Sequence, residues 1–481
     1  MWRAATLARV VTLAAVFLFD ALVPDYDTSA RHSSSSSSSS WACRAVEGAM
    51  TWDSVYYLDI AARGYAHEQN RAFFPAYPIA MRFVERATRL GGGGESEPSR
   101  CGLATSALMI SNLAHVLGAA TLEHLGLAVV GDAALARAAA LLYAFNPASV
   151  FHGVAYTESL FALASFVGCL CVARGRRNIA TAVFFVAAAT RSNGVLLATH
   201  LLWDLLDRVI LRAWGKSAFA RKRRAIETPG SEIGVSPPAE DDSAAKGAAG
   251  KVPARFADAA AYSAAYSAAG DAMKLLASIA ACVARCGVVA LAPYLVDRDA
   301  RKAYCGAGRR VGDRRPWCDD ARTPAYAFIQ SRYWNVGFLR YFERKQLPNF
   351  LLAAPMLVVA SHATWQHFCG TQSKRERRDA YGLHGRNARA HFIVCGAVAF
   401  ACFFFARVEV ATRLLSTSPA VYWHVAHHGR GGGSRSFTHD SEDDAESFGA
   451  NRERFQRAWC VYSLSYLAVG ALLFPNFYPW V

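Results

Sequence analysis

The chain alternates apolar stretches with short polar, basic or aromatic ones. About ten of the apolar stretches come near the roughly 20 residues that an α-helix needs to cross a bilayer, several falling short of it. They are 4–23, 103–130, 133–144, the run from Glu158 to Val172, 178–190, 195–206, 271–296, 351–365, 391–415 and 458–474. A soluble chain of 481 residues would not need such a series. The pattern predicts an all-α polytopic membrane protein with about 8–11 membrane segments and no solenoid repeat.

The interruptions are as informative as the runs. Gly131-Asp132 separates two helices, and Pro147 ends or kinks the next. The short runs 178–190 and 195–206 flank Arg191-Ser192-Asn193-Gly194, which predicts a tight helical hairpin with a polar tip. Arg3 and Arg9 precede the first apolar run, which fits a cleaved signal peptide or, in a many-span chain, an uncleaved anchor. The serine run 33–40 reads as a flexible linker. Two further stretches lack periodicity: 208–270, rich in Ala, Gly, Pro and charge and read as a disordered cytosolic insertion, and 429–457, basic and then acidic.

Charge sets the orientation. The 52 basic against 37 acidic residues leave +15, concentrated at 174–177, 208–224 and 374–389 beside apolar runs. A positive-inside bias accounts for this, and no nucleic-acid motif accompanies it. Counting crossings from a cytosolic N-terminus puts four segments on the opposite side: 24–100, the turn 146–158, the tip 191–194 and the loop 297–349. The 12 cysteines show no C-x-x-C spacing, which argues against a zinc motif of that kind. Most lie in apolar runs, but Cys305 and Cys318 share a polar loop and would form a disulfide if it faces an oxidising compartment.

The stretch 51–78, TWDSVYYLDIAARGYAHEQNRAFFPAYP, carries the densest candidate chemistry. Trp52-Asp53 sets a carboxylate beside an aromatic surface, a combination that can hold a sugar and take a proton from one of its hydroxyls. His67, Glu68, Asn70 and Arg71 add polar groups, and an interfacial helix with an aromatic belt would show the same composition. Glu158 at the head of an apolar run is expensive unless it is functional or paired. The loop 297–349 ends with Gln330, Arg332, Tyr333, Trp334 and Asn335, then Lys345 and Asn349, which combine hydrogen bonding with stacking.

In order along the chain stand WDSVYYLDIAARGY, AFFPAYP, FNPASVF, YTES, TRSNG, YWNVGFLRYFERKQLPNFLLAAP and TRLLSTSPAVYW. Together they resemble the PIG-V family, the second mannosyltransferase of glycosylphosphatidylinositol (GPI) anchor assembly, over nearly the whole chain outside the serine run and the two insertions. The resemblance implies a GT-C type glycosyltransferase of the endoplasmic reticulum membrane with its site at the lumenal face. Such an enzyme takes mannose from dolichyl-phosphate mannose and adds it in α-1,6 linkage to a mannosyl-glucosaminyl-phosphatidylinositol, with inversion. Asp53 is then the candidate base, with Trp52 orienting it or stacking on a sugar, and Asp59 ranks below it because the family is usually apolar there. His67, Glu68 and Asn70 are candidates for acceptor hydroxyls, and Arg191 and Asn193 for the donor phosphate. Glu158 is placed as a partner of Arg191. The residues 330, 332–335 and Lys345 are candidates for a sugar or headgroup. No cofactor or essential metal is expected, since a lipid-phosphate donor lacks the diphosphate that metal sites of glycosyltransferases usually bind. The resemblance leaves room for a small accessory membrane subunit. The competing expectation is a transporter or flippase of a lipid-linked sugar, suited by Glu158 and by Arg407 and Glu409 within an apolar run.

Overall fold

In the computed structural model, every regular element among the described residues (1–26, 43, 45–46, 49–89, 98–209, 254–306, 315–320, 322–370, 381–429 and 442–480) is helical. The serine run, residues 210–253 of the first insertion, 371–380 of the basic loop and 430–441 lie outside them. Among the described residues, five helical segments are long and apolar enough to cross a membrane: α1 (Trp2–Leu22), α4 (Arg100–Val129), the Gly270–Cys305 part of α9 (Ala254–Cys305), Arg344–Cys369, which holds α11 (Leu347–Cys369), and Arg386–Phe404, which holds α12 (Arg389–Phe404). Three shorter apolar helices, α5 (Ala133–Ala144), α6 (Glu158–Ala173) and α7 (Arg177–Thr190), pack in sequence, α4 lying against α5 and α6 and α6 against α7. The remaining helices are α2 (Ser54–Arg63), α3 (Ala76–Arg89), α8 (198–209), α10 (Ala325–Trp334), α13 (Ala411–Leu415), α14 (Pro419–Gly429) and α15 (Glu442–Leu473).

Two compact units can be drawn. One comprises Met1–Leu201 with Cys286–Val481, and the other Leu202–Arg285. The second contains the end of α8 and the first part of α9. The onset of α9 at Ala254 makes the 208–270 stretch helical from there onward, because ARFADAAAYSAAYSAA is dominated by the best helix former. Likewise α15 begins at Glu442, inside the aperiodic 429–457 stretch.

Local chemistry explains the breaks in the first unit. Ser99 caps α4 by accepting from Gly102 N at 3.0 Å, and Gly131 (φ +80°) ends the segment. Asp132 Oδ1 then accepts from Ala134 and Leu135, both at 2.9 Å, and starts α5. The 191–194 tip is as tight as its sequence implied. Arg191 is extended, a 3-10 turn covers Ser192–Leu197, and a Cβ on Gly194 would lie 2.6 Å from backbone atoms of Ala188.

Two expectations are corrected. The apolar run 391–415 is not one span, because α12 stops at Phe404 and α13 begins at Ala411. Gly337 and Leu339 of the 297–349 loop donate backbone hydrogen bonds to Phe405 and Phe404 carbonyls there. Arg407 and Glu409 therefore pair in a loop (2.5 Å) rather than mid-helix. Arg9 is not a flanking charge either. It is buried, and its guanidinium donates to Ser149 O (2.7 Å) and to Ser149 Oγ (2.5 Å), pinning α1 to the turn after α5.

Disulfides join Cys305 to Cys318 and Cys43 to Cys101. The second pair was not apparent from the sequence, because its members are 58 residues apart. At the end of the bundle where these loops meet, Tyr57, Tyr77, Phe151, Tyr156, Trp317 and Phe474 share one buried aromatic core.

Candidate functional site

Asp53 precedes the first turn of α2, and the chain around it is fixed from two directions. Thr51 Oγ1 donates to Phe474 O (3.0 Å), and Asp53 N donates to the Tyr156 hydroxyl (3.1 Å). Trp52 takes a left-handed backbone conformation (φ +54°), uncommon for a non-glycine residue, which turns its ring out toward Phe477. Its side chain is exposed.

The partner of Asp53 is Arg413, in the short helix α13. Its Nη1 and Nη2 donate to Asp53 Oδ2 at 3.2 and 3.3 Å, and its Nε donates to Glu158 Oε1 at 2.8 Å. Arg191 Nη1 approaches the same Glu158 oxygen at 3.0 Å. Four charges thus alternate in a row, Asp53, Arg413, Glu158 and Arg191, and sum to zero. Glu158 is fully buried at the start of α6, Arg413 is 12% exposed and Asp53 is 30% exposed, so Asp53 is the most accessible member of the row. The Arg413 guanidinium also lies 4.9 Å from the Phe151 ring centre and 4.6 Å from that of Tyr156. Burial opposes its charge, but Glu158 and then Asp53 push its pKa upward, so it stays cationic. Tyr156 is pushed well up by burial and by Asp53, and remains a neutral phenol.

Among the described residues, Asp53 Oδ1 accepts no hydrogen bond, and the side chain does not cap α2. One carboxylate oxygen is held and the other has no donor among the described residues. Asp59 is differently placed, since both its oxygens serve α2 and its neighbour: Arg63 pairs with Oδ1, and Asn70 donates to Oδ2 at 2.8 Å.

The two long loops are joined by Glu68. Its Oε1 accepts from Trp317 Nε1 (2.8 Å) and its Oε2 from the Tyr333 hydroxyl (2.9 Å), with Arg315 at 3.4 Å. Burial, and then this bond, raise the Tyr333 pKa. Protein donors thus occupy a carboxylate expected to hold acceptor hydroxyls. We expect Glu68→Ala to lower the thermal stability of the purified protein by about 1–3 kcal/mol, because buried Trp317 loses its acceptor. An unchanged melting curve would show that the loops do not depend on this tie.

Trp334 joins Tyr56 and Phe73 in an aromatic wall, with ring centres 6.1 and 5.8 Å from Trp334. Asn335 takes a left-handed conformation that ends α10. Asn193 is at the tip beside Arg191, with a buried Oδ1 that has no partner among the described residues. Gln330 bonds Tyr326, while His67 and Arg332 are exposed. Lys345 pairs with Glu343 (2.6 Å), and Asn349 donates to Tyr341 (2.7 Å) and Gln346 (2.8 Å). The structure therefore gathers Asp53, Glu158 and Arg191 and leaves His67, Arg332 and Lys345 outside the charged row. It adds Arg413, whose only sequence signal was its place in TRLLSTSPAVYW.

Membrane-length helices together with a partly buried charged row fit an integral membrane enzyme. The chain belongs to the Mannosyltransferase (PIG-V) family, whose model matches residues 1–224 and 256–481, leaving unmatched only residues inside the 208–270 insertion. It is 29% identical to GPI alpha-1,6-mannosyltransferase 2 of Cricetulus griseus over 463 residues, covering 88% of this chain and 83% of that relative. The protein of the same name from Rattus norvegicus is 30% identical over 460 residues (88% and 82%). GPI mannosyltransferase 2 of Drosophila melanogaster is 25% identical over 501 residues (99% and 98%). Family membership makes this chain a mannosyltransferase and sets aside the transporter reading.

Proposed function

We propose that this chain transfers the second mannose of the GPI anchor, in α-1,6 linkage, from dolichyl-phosphate mannose to a mannosyl-glucosaminyl-phosphatidylinositol at the lumenal face of the endoplasmic reticulum membrane. The observation that carries the mechanism is Asp53, held through one oxygen by Arg413 while the other remains open. In the transfer, Asp53 takes the proton of the acceptor hydroxyl, whose oxygen forms the new bond to the anomeric carbon. The bond from that carbon to the phosphate oxygen breaks, and dolichyl phosphate leaves with the electron pair. Inversion follows from this single displacement.

The alternating row gives the step an electrostatic logic. Once Asp53 is protonated, Arg413 loses half of its compensation as a phosphate anion departs, so the row becomes cationic when negative charge appears. Arg191 closes the row beyond Glu158, and it and Asn193, two residues on, are the proposed contacts for that phosphate. Trp52 and the Tyr56–Phe73–Trp334 wall suit the faces of sugars, and the transfer itself uses no metal. A small accessory membrane subunit is compatible with this reading. The disulfides Cys43–Cys101, which ties the 24–100 segment to the start of α4, and Cys305–Cys318 support an oxidising, lumenal environment for those loops.

Complementation tests the assignment. In cells lacking the second mannosyltransferase, this chain should restore surface GPI-anchored proteins and clear a one-mannose GPI intermediate. Persistence of that intermediate despite normal protein levels would overturn the substrate assignment. In microsomes from the same cells, EDTA should leave transfer intact, whereas loss restored by Mg²⁺ or Mn²⁺ would contradict the metal-free step.

A further inference from the structure

We propose that His362, His424 and His428 form a zinc-class transition-metal site that clamps α11 to α14, separate from the charged row. His424 and His428 are one helical turn apart on α14, and His362 faces them from α11. One ring nitrogen of each lies within 4.8 Å of those of the other two. His362 Nδ1 and His424 Nε2 are 3.0 Å apart. The ring centres are 5.0, 4.4 and 5.9 Å apart. Three imidazoles on one tetrahedral ion, each with a metal–nitrogen bond of about 2.0–2.1 Å, would have ring centres roughly 5 Å apart. The rings already stand close to the arrangement that the ion requires.

Two features favour a metal over histidines merely bonded to one another. His428 Nε2 lies 2.9 Å from Gln366 Oε1, an atom that can only accept. With Nε2 turned to this acceptor, His428 would meet the ion through Nδ1, the usual way a metal-binding imidazole is oriented. Burial is also graded, from exposed His362 through half-buried His428 to buried His424, which gives the ion a dry inner ligand. On binding, the shared proton between His362 and His424 moves to the outer nitrogen of its own ring, and both rings bind as neutral imidazoles. An all-imidazole set suits zinc, copper or nickel rather than magnesium or calcium. His362 lies 15 residues into α11, roughly 22 Å along its axis from the end that adjoins the 297–349 loop. The site thus acts on helix packing and not on the transfer.

The test uses full-length protein purified through a tag without histidine, in detergent without chelator. We expect about one zinc per chain by mass spectrometry, and a melting temperature that falls on chelation and recovers with added zinc. His362→Ala/His428→Ala should lose both the metal and the zinc response. Gln366→Leu should weaken zinc binding about 10–100-fold. If the double variant does not fold, His428→Gln, which keeps a polar side chain, should still melt without responding to zinc. Wild-type protein that neither carries zinc nor is stabilised by it would overturn the proposal. So would zinc retained in a folded His362→Ala/His428→Ala protein but lost in Cys169→Ser. That result would move the metal to the buried Cys169, His200 and His391 cluster beside a cavity of about 30 Å³.

Discussion

Asp53→Asn lowers mannose transfer by about 10²–10⁴-fold, the usual contribution of a positioned general base, with protein level and donor KM little changed. Asparagine keeps the shape and an oxygen for Arg413, so the loss isolates the proton-accepting role of the carboxylate. Asp59→Asn provides the contrast. Its partners are Arg63 and Asn70 rather than Arg413, and its loss should cost less than tenfold in activity, in line with a weak helix pair. Equal losses in the two variants would show that the segment needs acidic side chains for its structure and that Asp53 is not the base.

The second large effect is expected at Arg413. Its replacement by Ala strips the buried Glu158 carboxylate of its aligned hydrogen bond and leaves only the less well directed Arg191. Breaking one partner of such a pair costs about 3–5 kcal/mol, so Arg413→Ala should melt far below wild type. Lysine restores charge but lacks the fork that reaches Asp53 and Glu158 together, and should recover stability better than activity. The double variant Arg413→Met/Glu158→Gln removes both buried charges and should regain much of the lost stability while transfer stays low. If activity returned along with stability, Arg413 would be only a packing element.

The sequence made some of this visible and concealed the rest for identifiable reasons. Membrane-length apolar runs are a one-dimensional signal, so α1, α4 and α11 were legible. Asp53 was legible because a carboxylate beside Trp52, in a polar segment between two spans, stands out chemically. Arg413 did not stand out: it is a single charge in TRLLSTSP, at the end of an apolar run that looked continuous, and the break at 405–410 exists only through backbone pairing with Gly337 and Leu339. The Cys43–Cys101 pair was hidden by its separation in sequence. Glu68 stands out in the sequence, but its Trp317 and Tyr333 donors come from a loop about 250 residues away. Pairing of that range is a tertiary fact, and composition within one loop does not contain it.

Sidedness gives the most direct test of the central claim, that the Asp53 carboxylate works on a lumenal lipid-linked donor. The chain contains no Asn-x-Ser/Thr sequence, so any glycan on an engineered acceptor reports position without background. Acceptors would be placed in turn within 91–97, 307–314 and 371–380 of an active protein. Glycosylation at the first two and not at the third is the predicted result. A glycan at 371–380 with 91–97 unmodified would place Asp53 on the cytosolic side and contradict the account.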